Sequence, residues 1–467
     1  MAPMTRLRLG VSMKFSCWLH LFALLALAVY AQNVMAQASI YDDLGPGGKK
    51  NAAMGPIATE QEFHFIADEE GVTEAEGLNC DSLGKSGSCQ SGCDNCSVRG
   101  ARGCTGRIWM NAEYLFWYAR GMKLPALVTS SPTGTDRNLG TVDSPVAGVL
   151  GVPTTSVLYG DERVAGGVGS GGRYEIGVWL DSCMDIGIGG RYFHLDGDSE
   201  NFTASSEASG DSILARPYFN VGIDGQDAFL VAFDDLFGGN ANVKASQEVL
   251  SAEAFTKILL MQGNGFRYDL IGGYHYGQIN SDLSVTSSLV TIDVDPFNPG
   301  TPVGTSLDVL DSFEVENDFH GGGIGIAAQW QRGKNIIKVL GKASFGNMHQ
   351  SVAIRGQTSS MTPAPSSTSA SIPFGLLAQD SNSGRFEQDK FAVVPEANIT
   401  LVRRLTCNLD FTIGYSFIYW SSVQQAGDLI DASLDLDGIP PQTQPAFAFR
   451  DTDFWAQGLN LGLNLRF

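Results

Sequence analysis

The chain has 467 residues, more than one compact domain needs, and 43% of them are hydrophobic. Its formal net charge is -20, so it lacks the basic surplus with which proteins bind nucleic acid. Its mean hydropathy of -0.01 and its 56 glycines fit a transmembrane β-barrel, in which half of each strand faces lipid and half faces a polar lumen.

The first 36 residues are predicted to be a secretory signal peptide. Basic residues precede an apolar run from Phe15 to Tyr30, and Val34-Met35-Ala36 offers a cleavage site. The run is too short for a comfortable helical span of about 20 residues, which favours cleavage before Gln37 over an uncleaved anchor helix. No later apolar run in the sequence is long enough to form a membrane helix, so the exported chain is either soluble or a barrel.

Residues 37–106 are predicted to be a periplasmic extension, partly disordered because the sequence has little hydrophobic periodicity. The oxidising compartment favours disulfides for its cysteines, and zinc held by Cys93, Cys96 and two neighbours is the alternative. The disulfide candidates of the mature chain are Cys80, Cys89, Cys93, Cys96, Cys104, Cys183 and Cys407. Their number is odd, so at least one thiol is free, bound to metal or linked to another chain.

From residue 107 onward, apolar and polar residues alternate, as in strands with one face toward lipid. The first strand carries Ile108, Met110, Ala112, Tyr114, Phe116 and Tyr118 on its apolar face. Short reversals between alternating runs occur at 181–184, 262–265, 332–335 and 403–407. Short periplasmic turns that alternate with long extracellular loops are the plan of an outer-membrane barrel.

We therefore predict an all-β fold, an antiparallel transmembrane β-barrel over residues 107–467. The alternating runs predict about ten strands. Twelve strands are the alternative, if Leu283 to Val294 and Val303 to Leu310 pair as an extra hairpin.

The last strand ends on an aromatic residue and is long enough to cross a bilayer, which takes roughly 9–11 residues. Its apolar face carries Trp455, Leu459, Leu461, Leu463, Leu465 and Phe467. This arrangement resembles the C-terminal signal that outer-membrane barrels present to their assembly machinery. We expect outer-membrane lipid and that machinery as partners. An edge strand of a soluble sandwich is the alternative interpretation of this one segment.

Six short blocks occur in order along the predicted barrel. They are Leu124 to Thr129, Val157 to Gly160, Arg173 to Asp181, Ala215 to Asn220, Asn317 to Gly322 and Phe454 to Leu459. Together they resemble the putative beta-barrel porin type 7 family of planctomycete bacteria. The resemblance implies an outer-membrane barrel. It assigns no activity, because no residue of these blocks carries an assigned role in that family.

Twelve charged residues fall on the inward face of the predicted strands. They are Glu113, Arg173, Glu175, Arg191, Glu253, Lys257, Arg267, Asp269, Lys338, Lys342, Glu396 and Asp410. Eight strands leave a lumen just filled by side chains, whereas sixteen or more leave an aqueous channel. Ten strands with these long side chains predict a narrow or closed barrel, in which opposite charges pair across strands. A narrow porin-like or structural barrel and a surface protein that adheres through its long loops both fit.

Two other sequence patterns bear on ligand binding. Gly167 to Gly172 fits the dinucleotide motif G-x-G-x-x-G, but a strand follows it where a helix is needed, so we interpret it as a flexible loop. The segment Ser281 to Asp318 holds eight acidic residues and no Lys or Arg. We interpret it as an acidic loop whose charges are solvated. The alternative is a weak site for divalent cations that bridge to lipopolysaccharide.

A hydrolase would place His with Asp or Ser at the outer strand ends. His194 near Asp196 and His320 near Asp318 are the candidates, and neither pair has an evident nucleophile in the sequence. We expect neither catalysis nor a cofactor.

Overall fold

The structure, a computed structural model, describes residues 106–138, 146–197, 199–207, 212–296, 299–365, 367–436 and 442–467. Its main feature is a ring of ten antiparallel strands. They are β1 (Ile108–Ala119), β2 (Gly167–Trp179), β3 (Ile186–Leu195), β4 (Phe237–Gly263), β5 (Phe266–Thr291), β6 (Ser306–Arg332), β7 (Asn335–Met361), β8 (Gly384–Arg404), β9 (Leu409–Val423) and β10 (Thr452–Arg466). No helix in this part of the chain is long and apolar enough to cross a membrane.

Each strand pairs with its neighbours in the chain, and β10 closes the ring by pairing with β1. At the closure, the Phe467 N–H donates to the carbonyl of Ile108 over 2.9 Å. The predicted antiparallel barrel of about ten strands is confirmed. The twelve-strand alternative is wrong, because its extra hairpin consists of the far halves of β5 and β6, where Leu283 pairs with Phe313.

The two ends of the ring differ in their connections. Short turns at 180–185, 264–265, 333–334 and 405–408 lie at one end, which we call the short-turn end, and longer connections lie at the other, the long-loop end. Cys183 and Cys407 lie in two of the short turns. The other disulfide candidates, the signal peptide and nearly all of the extension precede residue 106 and lie outside the described residues, so those predictions stay predictions.

The outer wall carries a band of apolar side chains, as a lipid-facing surface requires. On β10, Leu459, Leu461 and Leu463 are all exposed. At the edge of the band, Tyr118 of β1 stacks on Trp455, with ring centroids 5.5 Å apart. The apolar face predicted for the last strand therefore points outward, and its role as an assembly signal stays a prediction.

Strands β4 to β7 are 26 or 27 residues long, although about 9–11 residues suffice to cross a bilayer. They extend past the apolar band at the long-loop end, where most of their outward residues are polar, such as Asn240, Asp308 and Arg355, and resemble loop sequence. Most of Ser281 to Asp318 belongs to β5 and β6, so its reading as a solvated loop is wrong. Three of its acidic residues form the ion pairs Arg137–Asp295, Arg216–Asp311 and Arg355–Glu314. A divalent cation at this segment stays a prediction.

The glycine-rich segment Gly167 to Gly172 is the first half of β2, where it pairs with β1. The flexible-loop interpretation is therefore wrong. A Cβ at Gly171 would overlap the backbone carbonyl of His194 in β3. The glycine is needed because two neighbouring strands approach closely there.

The long connections contain further short elements within the described residues. They are the strands Met122–Lys123, Val128–Ser131, Ser156–Tyr159, Arg163–Val164, Ser199–Ser206, Ile213–Asn220, Gly225–Ala232, Ser369–Ile372 and Ser433–Leu434, and the 3-10 helix Ala426–Leu429. Residues from four connections pack against the extended walls of β4 to β7 and form what we call the upper core. Its buried side chains include Leu124, Leu214, Leu377, Leu429 and Phe313.

Candidate functional site: the barrel lumen

The lumen at the short-turn end contains a cavity of about 340 Å³, which we call the vestibule. Its lining runs from Arg404 and Arg466, beside the short turns, to Arg191 and Lys342, deeper in the barrel. Side-chain exposure falls along this path, from 26% at Arg466 to 3% at Lys342. The vestibule therefore opens at the short-turn end.

Four charged side chains form a network at the deep end of the vestibule. Arg191 on β3 donates to Glu253 on β4 over 2.5 Å and to Glu396 on β8 over 2.7 Å. The Lys342 Nζ atom on β7 lies 2.5 Å from Glu253 and 3.0 Å from Glu396. The network spans the lumen and balances two positive charges with two negative ones, as buried charges require.

Arg173 and Glu113 form a second balanced pair nearby. They are register partners on β2 and β1, and the Arg173 Nε donates to Glu113 over 2.6 Å. Both side chains are almost fully buried. The Arg173 Nη1 also donates to the Ser416 hydroxyl on β9 over 3.1 Å, so this pair too reaches across the lumen.

Three ion pairs lie nearer the mouth. They are Lys257–Glu175 (2.7 Å), Arg267–Asp269 (2.6 Å) and Arg466–Asp410 (2.8 Å). The Arg404 Nε atom lies 3.7 Å from the same Asp410 carboxylate, so two arginines share one acid. Arg404 and Arg466 were absent from the predicted lumen charges because both lie at strand ends. In the alternating pattern of β10, Arg466 falls on the polar, inward face, and that position could have identified it.

Lys338 differs from the other predicted lumen charges. It lines the vestibule on β7, between Gln329 of β6 and Thr400 of β8. Within the part of the chain that the structure describes, Lys338 takes part in no ion pair, whereas the other eleven predicted charges do. The structure places all twelve on the inner side of the barrel.

Beyond the vestibule, the lumen is filled by apolar side chains that we call the aromatic plug. They are Leu115, Trp117, Phe193, Leu195, Val249, Ile279, Phe319, Met348, Ala392, Val394, Ile418, Trp420, Val423, Phe454 and Ala456. Every strand of the ring except β2 contributes. Phe319 and Trp420 are fully buried and meet edge to face, with ring centroids 5.6 Å apart. A Cβ at Gly277 would overlap the Trp420 ring, so the glycine makes room for the plug.

His275 on β5 joins the plug to the vestibule. Its two ring nitrogens lie 2.9 Å from the hydroxyls of Ser251 and Ser344. Its ring packs against Phe319 and Trp420, with centroids 5.3 and 5.2 Å away. Both nitrogens are therefore engaged, and the imidazole acts as a polar anchor for the plug. A single inward His carries no sequence pattern, which is why it was missed.

A second closure lies on the long-loop side of the plug. Asn317 of β6 donates to the carbonyl of Gln424 over 3.0 Å and accepts from its N–H over 2.8 Å. The Ser281 hydroxyl of β5 accepts from the Ala426 N–H over 3.1 Å. These bonds hold residues 424–430 inside the barrel, where Leu429 joins the upper core.

One buried ion pair organises the upper core. Arg216, on the short strand Ile213–Asn220, donates to Asp311 of β6 over 2.5 Å, and the two side chains are 1% and 0% exposed. The second Asp311 oxygen accepts from the N–H groups of Leu377 and Ala378, both over 2.8 Å. Asp311 thus ties two long connections to the barrel wall.

The two hydrolase candidates lie on the outer wall. His194 on β3 is 3.7 Å from Asp196. His320 on β6 contacts the Tyr274 hydroxyl at 2.6 Å, while Asp318 accepts from Tyr276. Strands β4 and β5 separate the two histidines, and neither belongs to the lumen cavity.

The blocks that carried the family resemblance place residues at each level of the interior. Arg173 lines the vestibule, Phe319 and Phe454 belong to the plug, and Arg216 and Leu124 belong to the region of the upper core. The blocks are therefore spread along the sequence but lie together inside one barrel.

Two solved structures are distantly similar to this chain. The outer membrane protease OmpT from Escherichia coli is 7% identical, with 79% of this chain and 100% of that chain covered and a TM-score of 0.33. A Pseudomonas aeruginosa FadL homologue is 7% identical, with 77% and 90% covered and a TM-score of 0.20. TM-scores this low do not indicate a function for this chain. No curated protein matches the chain.

The sequence profile of the family described as Putative beta barrel porin-7 (BBP7) matches residues 109–467. This range covers the ring from the second residue of β1 onward, the plug and the closure by residues 424–430. The chain belongs to the Putative beta barrel porin-7 family.

Proposed function

We propose that this outer-membrane β-barrel is a closed anchor that holds a rigid β-structure outside the cell. The observation that carries the proposal is the filled lumen. The aromatic plug, the inward segment 424–430 and the upper core follow one another from the vestibule toward the long-loop end. A porin needs a continuous aqueous path, and these three layers occupy it.

The energetics of the plug support a permanently closed state. Burial of one large apolar side chain contributes about 1.5–3 kcal/mol. A path through the plug would expose several such side chains at once, among them Trp117, Phe319, Trp420 and Phe454. Spontaneous opening is therefore rare, and an opening mechanism would require a partner that replaces these contacts.

The extended strands support display as the role of the barrel. Each of β4 to β7 continues past the lipid-facing band, and the upper core joins those extensions to four long connections. In the usual plan of such barrels, long loops are extracellular and short turns periplasmic. Residues 37–106, which precede β1 at the short-turn end, would then lie in the periplasm. Adhesion through the displayed connections stays a prediction.

Surface labelling tests the proposed orientation. A cysteine at Gly300, in the exposed β5–β6 connection where an added Cβ meets nothing within 4 Å, should react in intact cells with a maleimide carried on a polymer too large for outer-membrane pores. A cysteine at Lys334, in the exposed β6–β7 turn, should react only after the outer membrane is permeabilised.

The unaltered chain is the control for this experiment. The cysteines within the described residues, Cys183 and Cys407, lie at the short-turn end and should stay unlabelled in intact cells. If Lys334→Cys were labelled in intact cells and Gly300→Cys were not, the orientation would be the opposite of the proposed one. That result would contradict the proposed display function.

A further inference from the structure

We propose that the vestibule is a binding site for a small phosphate or carboxylate dianion that enters from the short-turn end. The charge of the lining is the first reason. Within the described residues, eight basic and five acidic side chains line the cavity, and Glu396 adds a sixth acid behind Arg191 and Lys342. Two positive charges are therefore in surplus, in a chain whose net charge is -20.

The surplus lies where a solute can reach it. The network at the deep end is balanced, and so is the pair of Arg173 with Glu113. Nearer the mouth, Arg404 and Arg466 share the single Asp410 carboxylate, and Lys338 adds a further cation. The accessible half of the vestibule thus holds both excess charges.

The same residues have hydrogen-bond donors that lack an acceptor within the described residues. Lys338 forms no ion pair within the described residues, and its register partners on the neighbouring strands, Gln329 and Thr400, are uncharged. The buried Nε atoms of Arg404 and Arg466 also donate no hydrogen bond in this part of the chain. Lysine and arginine donors bind carboxylate and phosphate oxygens strongly, because the hydrogen bonds are charge-assisted.

The volume of the cavity suits a small solute, and its closed far end argues against transport through the barrel. A volume of about 340 Å³ lies at the lower end of the range of ligand pockets, about 300–1,000 Å³. Neutral donors and acceptors of Gln329, Asn398, Thr400 and Asn464 also line it. The plug closes its far end, so the vestibule has one entrance and is a binding site rather than a passage.

Calorimetric titration of the full-length refolded protein at low salt tests the proposal. The probes are inorganic phosphate and, separately, succinate, and the one that binds identifies the ligand as phosphate or carboxylate. We expect saturable one-to-one binding of at least one probe. Substitution Lys338→Met should weaken it about ten- to hundredfold, the usual contribution of a hydrogen bond to a charged group. Lys338→Arg, which keeps the charge, should retain most of the affinity.

Lys334→Met is the matched control, because it removes the same charge four positions away, in a turn that does not line the vestibule. It should leave binding unchanged. Arg404→Gln is a second weakening variant if Lys338→Met does not fold. The proposal is overturned if neither probe binds saturably, if binding survives both vestibule substitutions at full strength, or if Lys334→Met weakens it equally.

Discussion

Replacement of Arg216 by alanine will lower the free energy of unfolding by about 3–5 kcal/mol, because breaking a buried ion pair leaves the partner charge uncompensated. Asp311 would keep its bonds to the N–H groups of Leu377 and Ala378 but would lose its only cationic partner within the described residues. Urea unfolding of the refolded protein in detergent measures the change. Protease cleavage within 212–236 should increase at the same time, since the upper core loosens before the ring.

The exposed pair of Arg355 and Glu314 is the matched control for this substitution. It joins β6 and β7 through two hydrogen bonds of 2.8 Å, with side chains 62% and 44% exposed. Exposed ion pairs contribute about 0.2–1 kcal/mol, so Arg355→Ala should have a small effect. If the two substitutions lowered the free energy of unfolding equally, the buried pair would not organise the upper core.

Trp420→Ala will destabilise the barrel by about 3–5 kcal/mol, as truncation of a large buried aromatic side chain does when the surroundings cannot collapse. Trp420 is fully buried against Phe319 and His275. The substitution Tyr415→Ala, on the lipid-facing side of the same strand, is the control and should cost less.

The Trp420→Ala barrel should nevertheless stay closed to ions, because residues 424–430 and the upper core block the lumen beyond the plug. Measurable conductance of this variant would show that the plug alone closes the barrel.

The ring and its lipid-facing surface could be predicted from sequence for a simple physical reason. Lipid accepts only apolar side chains, so residues such as Leu459, Leu461 and Leu463 alternate strictly with polar ones, and the strand period of two fixes which face they share. The same rule fails for the far halves of β4 to β7. Both faces there meet water or protein, and no lipid enforces the alternation.

The arrangement inside the lumen could be predicted only in part. The alternation of inward and outward positions indicates that Arg191 and Glu396 point inward. It does not indicate that they meet, because their contact joins two strands that are distant in the sequence, β3 and β8. Such a contact depends on which strands face each other after closure. For the same reason, nothing in the sequence distinguishes Lys338, without an acidic partner in the described residues, from Lys342, which has two. The plug was not predicted because its fifteen residues are one to three inward positions on each of nine strands, and the strand period alone does not show which of them meet.

Single-channel recording of the unaltered protein in planar lipid bilayers tests the central claim, a closed lumen, most directly. Folding of the barrel used for the recording should be verified independently by its heat-modifiable migration. We predict no steady conductance steps at either polarity, because the plug, the inward segment and the upper core fill the lumen in series. Steady conductance steps of any size, and most clearly ones comparable to those of a sixteen-stranded porin, would contradict the account.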